Sequence, residues 1–162
     1  MSIFKIKCQK TQKIFSCAQT LHNKTFNLLE TYFSAILLLA IRIWIANIFF
    51  KSGMTKLSNM ESTILLFEYE YALPFISPFL AAYMAMFAEI GCSILLVLGL
   101  LSRLSSLVFV IMTLVIQIFV FDNAEHFYWI FLLLTILTFG AGKISADYLL
   151  PKFCKKFCNS KK

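Results

Sequence analysis

Between Phe79 and Leu101 the chain reads FLAAYMAMFAEIGCSILLVLGLL, an apolar run broken by a single acid, Glu89. As an α-helix a run of this length spans the roughly 30 Å hydrocarbon core of a bilayer. In lipid the helix is also the conformation that satisfies every backbone donor and acceptor within its own segment. Three further apolar stretches accompany it: Tyr32 to Phe50, Leu104 to Phe121, and one that starts at Phe127. The last is expected to run through Gly140 to Leu150, with Lys143 snorkelling and Pro151 ending it. The first and third fall slightly short of the roughly 20 residues of a comfortable span, so bilayer thinning or helix extension is expected. Only Ser102 and Arg103 separate the second from the third, which makes those two an antiparallel neighbouring pair. Pro74 and Pro78 precede the second stretch, as suits a helix start.

Composition enters as a check on class. Hydrophobic residues make up 60% of the chain, charged residues 14%, and eighteen are Phe; a soluble domain carries roughly 45–50% apolar residues. The expected fold is all-α: an integral membrane four-helix bundle with both termini cytoplasmic. It divides into a basic amphipathic segment at 1–30, a membrane domain at 31–150 and a basic tail at 151–162. The first segment lacks the apolar core and cleavage site of a secretory signal.

Direction follows from charge. Up to Thr31, five lysines against Glu30 leave +4; from Lys143 onward, six lysines against Asp147 leave +5. Arg103 gives the tight turn +1. The loop Lys51 to Pro78 carries three glutamates against two lysines, and Asp122 to His126 two acids. The sign alternates with each crossing, as the cytoplasmic excess of basic residues requires. A formal charge of +7 gathered at membrane-flanking ends meets lipid headgroups. Nucleic-acid binding is excluded because no folded module interleaves these lysines with aromatics. On this orientation Cys8, Cys17, Cys154 and Cys158 face the reducing side and Cys92 lies in the membrane, so no disulfide framework is expected.

The candidate chemistry is intramembrane. Arg42 and Glu89 lie near the middles of the first and second stretches, and an unpaired ion there costs roughly 2.5–3.5 kcal/mol on the insertion scale. They are expected to form a buried ion pair, which either serves function or fixes helix register. Ala81, Ala85, Ala88 and Cys92 recur beside Glu89 at helical spacing, and small residues let a neighbouring helix approach. If the first helix continues past Phe50, Arg42, Gly53 and Lys56 share one face. Asn47, Lys51, Gly53, Lys56 and Gln117 are then expected at a polar mouth on the outer side, although for Asn47 and Gln117 ordinary interhelical hydrogen bonding is the plainer account. No metal is expected: His126 and His22 stand alone, and Cys154 with Cys158 lacks further ligands. No set of redox-cofactor ligands appears either, so catalysis by this chain alone is not expected.

These residues form a pattern. Arg42, Phe50, Lys51, Gly53 and Lys56-Leu57, then Glu89, Gly91, Gly99 and Arg103, then Gly140, Gly142, Ser145 and Asp147 together resemble the DoxX family over about residues 35–150. Cys92 stands where a second glycine usually follows the acid, and the basic N-terminal segment is outside the pattern. The resemblance implies a multi-pass protein of the bacterial inner membrane, in a family associated with respiratory or redox complexes. It points to an accessory or anchoring subunit of a quinone-linked complex, with membrane lipids, redox-complex subunits or a second copy as partners and quinone as the ligand. A small-molecule or lipid carrier and a purely structural scaffold remain the alternatives.

Overall fold

The computed structural model describes residues 3–159 apart from 73, 75, 121 and 122; side chains are described at 26, 27 and 30–152 apart from those four. Contacts divide the chain into two units, 1–36 and 37–162. The described residues are helical, without strands. Helix α1 is Ile3–Ser58, α2 Met60–Leu66, α3 Pro78–Leu98, α4 Ser102–Phe119, α5 Ala124–Phe139 and α6 Ala146–Asn159. A π-helical turn, Phe67–Tyr71, follows α2 directly.

Three helices are long and apolar enough to cross a membrane: Glu30–Ser58 within α1, α3 and α4. The chain is thus an all-helical, multi-pass membrane protein, and its surface fits lipid. Phe87, Phe131, Ile118 and Phe139 are each about 70% exposed, whereas Arg42, Glu89, Ser102, Ser105, Ser106 and Thr113 are buried. Burying the polar side chains while exposing the apolar ones is what a hydrocarbon solvent selects.

Local chemistry sets the helix ends. Ser77 caps α3 by accepting from Leu80 N at 3.4 Å, with Pro78 at the first helical position, as proline's fixed φ favours. α3 ends at Gly99, φ +69°, where Leu100 N returns to Leu95 O at 2.9 Å, a left-handed cap that glycine adopts without strain. α5 starts at Asn123, whose side chain accepts from Glu125 N. It stops at Gly140, and both Gly140 and Gly142 have positive φ. The fourth apolar stretch therefore breaks at Gly140 instead of reaching Leu150. Pro151 lies inside α6, because the glycines ended the preceding helix first.

Phe49 stacks on Phe109 with ring centroids 4.0 Å apart and meets Trp129 edge-on at 6.1 Å. Ile45, Ala46, Leu96, Val110, Leu133 and Ile136 complete this core, which joins α1, α3, α4 and α5. A second cluster seats Phe67 and Tyr71 against Ala81 and Ala82 of α3. It folds the segment after α1, read from the sequence as a plain loop, back against the bundle.

Candidate functional site

Two charged centres lie at opposite ends of the α1–α3 pair. α1 runs antiparallel to α3: Gly53 adjoins Glu89 and Ile90, while Arg42 adjoins Gly99. The expected Arg42–Glu89 pair does not form. Apolar windows put both residues at mid-span, but α1 continues past Phe50 to Ser58. That extension brings Lys56 to Glu89 and leaves Arg42 roughly 21 Å of helix away.

At the first end Arg42 is wholly buried. Its Nη2 donates to Ile144 O at 2.6 Å, and its Nε and Nη1 have no hydrogen-bond partner among the described residues. A Cβ on Gly99 would collide with Arg42 Nη1 and lie 2.6 Å from Ser145 Cβ, so the guanidinium fits only against glycine. The residues singled out near the last helix gather here. Ser145 Oγ donates to Gly142 O at 2.7 Å and accepts from Tyr148 N at 3.3 Å, which caps α6. The Asp147 carboxylate accepts from Leu101 N at 2.9 Å and from Ser102 N and Oγ at 3.1 and 3.3 Å, and Asp147 N donates to Gly99 O at 2.9 Å. Asp147 thus caps α4 from another helix, and the favourable charge at a helix start fits that role. Gly142, Ser145 and Asp147 form a clamp on the tight turn.

At the other end Lys56 Nζ donates to Glu89 Oε1 at 2.7 Å, to Glu89 Oε2 at 2.9 Å and to Ser52 Oγ at 2.8 Å. Ser52 Oγ donates in turn to Glu89 Oε1 at 3.2 Å. All three ammonium protons are engaged. Ser52 and Lys56 are four residues apart on one face of α1, and Gly53 between them lets α3 come close: a Cβ there would lie 2.8 Å from Ile90 Cγ1 and 3.0 Å from Glu89 Cβ.

Lys56 and Glu89 line a cavity of about 320 Å³, at the small end of the ~300–1,000 Å³ range of ligand pockets. Its walls are almost wholly apolar, with Met84 and Ala88 from α3 and Met112 and Val115 from α4; Tyr71 closes it from the π-helical turn. Among the described residues the Tyr71 hydroxyl has no hydrogen-bond partner. Burial first, then the charges of Glu89 and Glu70, push its phenol up to about 12. It remains a protonated donor at any physiological pH, on a residue that lines an apolar space.

The other expected mouth residues do not converge here. Asn47 and Lys51 are exposed on α1, off the face that carries Gly53 and Lys56. Gln117 Oε1 lies 2.7 Å from His126 Nδ1, linking α4 to α5, and His126 is buried against Trp129 with ring centroids 5.1 Å apart. The plainer account of Gln117, a helix-to-helix hydrogen bond, describes its place. Cys92 is a free thiol; the side chains of Cys8, Cys17, Cys154 and Cys158 lie outside those described, as do Asp122 and the side chain of His22. Among the described residues no group of three or more His, Cys, Asp or Glu is placed to hold a metal. Tyr71 was missed in the sequence. The readable signal was Phe67 and Tyr71 at helical spacing within an acidic loop, and their rings do stack at 4.3 Å.

A family model described as DoxX matches residues 37–122, just over half of the chain. No curated protein and no solved structure matches it.

Proposed function

The chain belongs to the DoxX family, and from that membership we propose that it is an accessory subunit of a quinone-linked redox complex in the bacterial inner membrane. On this reading it crosses four times, α5 being the fourth and shortest span, and both ends face the cytoplasm. At 16 residues α5 covers roughly 24 Å, a mismatch that local bilayer thinning absorbs. The alternating loop charges support the direction.

One observation carries the ligand reading: an apolar cavity that ends on the Lys56–Glu89 pair and one unpartnered phenol. A quinone head is a flat apolar ring whose carbonyl oxygens accept hydrogen bonds. The walls exclude water from such a ring. Lys56 has no spare proton, so Tyr71 is the donor that would reach a carbonyl oxygen. Lys56 and Glu89, held by Ser52, supply fixed opposite charges beside it. The group would bring the redox chemistry, and this chain would bring binding and orientation. The same walls also suit the tail of any amphiphile, which supports the carrier as second reading.

Gentle purification from native membranes, with mass spectrometry of bound small molecules and proteins, tests both. Quinone together with oxidoreductase subunits is expected, and Tyr71→Phe should lower bound quinone at least fivefold while the protein still accumulates. A different amphiphile without protein partners would sink the redox reading and favour the carrier. Neither ligand nor partner would leave a scaffold.

A further inference from the structure

At the tight-turn end, away from the Lys56–Glu89 cavity, an open groove of about 650 Å³ lies where the start of α4, the end of α5 and the start of α6 meet. Leu101, Leu104 and Phe139 line it and are each more than half exposed. Arg103 and Lys143 supply its cations. Arg103 is held in place: Nη2 donates to Thr138 O at 3.3 Å, and a Cβ on Gly140 would sit 3.5 Å from its Nε. The rest of its planar fork remains available for an oxyanion. Lys152 adds charge beside the groove, its Nζ 2.8 Å from the Tyr148 hydroxyl and 3.9 Å from the ring centroid. The Lys152 hydrogen bond and charge, with Lys143 behind them, hold the Tyr148 phenol below its ordinary value, as a local excess of positive charge would. The acid lining the groove, Asp147, already receives Leu101 N, Ser102 N and Ser102 Oγ.

We propose that this groove binds an anionic phospholipid, its phosphate held by Arg103 and Lys143 and its acyl chains lying on Leu101, Leu104 and Phe139. Basic pockets between spanning helices select acidic headgroups, and the exposed apolar floor calls for acyl chains, which a free phosphate ion would not supply. The site is separate from the proposed quinone cavity and stands or falls independently of it.

Native mass spectrometry of the detergent-purified full chain, titrated with phosphatidylglycerol or phosphatidylcholine of identical acyl chains, tests the site. Phosphatidylglycerol is expected to bind about tenfold more tightly. The double variant R103Q/K143Q should lose that preference, whereas K51Q, which changes an exposed lysine of α1 that does not line the groove, should keep it. Hydrogen–deuterium exchange of the unaltered protein gives a second readout, since phosphatidylglycerol alone should slow exchange across residues 139–148. Equal affinity for the two lipids, an unchanged preference in R103Q/K143Q, an equal loss in K51Q, or displacement of the lipid by millimolar inorganic phosphate would each overturn the site.

Discussion

Lys56 and Arg42 sit on one helix and are neutralised in different ways. Lys56 meets a carboxylate and a serine hydroxyl within hydrogen-bond distance; Arg42 meets one backbone carbonyl and the more distant charge of Asp147. That Arg42 would be buried was legible in the sequence, because an intramembrane ion avoids lipid; Lys56 was expected at a polar mouth and is instead partly buried against Glu89. The partners were not legible, since they depended on where α1 ends. Removing one member of the Lys56–Glu89 pair strands the other charge, a loss of about 3–5 kcal/mol for a buried pair. Lys56→Met and Glu89→Leu are each expected to lose about that much in equilibrium unfolding in mixed sodium dodecyl sulfate micelles. The double variant should be more stable than either single one. Losses that simply add would mean that the two side chains act separately.

Among the elements, the turn between α3 and α4 depends on residues far along the chain. Gly99 leaves room for Arg42, and Asp147 caps α4 across more than forty residues of sequence. Gly99→Ala puts a Cβ into a left-handed position, a strain of about 1–3 kcal/mol, besides the collision with Arg42. Asp147→Ala removes a cap, at about 0.5–2 kcal/mol. Gly99→Ala should therefore lower the melting temperature more than Asp147→Ala, and Asp147→Asn least, in thermal unfolding followed by circular dichroism. Proline at the start of α3 and a tight antiparallel connection to α4 were readable in advance, although the turn falls at residues 99–101 and Ser102 and Arg103 already belong to α4. The segment of α2 and the π-helical turn was not, because helices this short persist through tertiary packing, here Phe67 and Tyr71 against Ala81 and Ala82.

For the whole molecule, the polar interior and apolar exterior make lipid the matching solvent, and the proposed orientation is open to direct test. In a background with all five cysteines replaced, a cysteine at Tyr69, which is 76% exposed, should react with a membrane-impermeant maleimide on intact cells. A cysteine at Arg103, also exposed, should react only after permeabilisation. The opposite pattern would reverse the direction inferred from loop charge.

By itself the sequence determined the solvent, the apolar spans and the family, because hydropathy over some twenty residues and basic flanks act locally along the chain. Only the tertiary structure decided that Lys56, instead of Arg42, neutralises Glu89, that Asp147 seals a distant turn, and that Tyr71 lines an apolar cavity. Each of these depends on the axial register of one helix against another, and a shift of a few residues, at 1.5 Å apiece, changes which side chains meet.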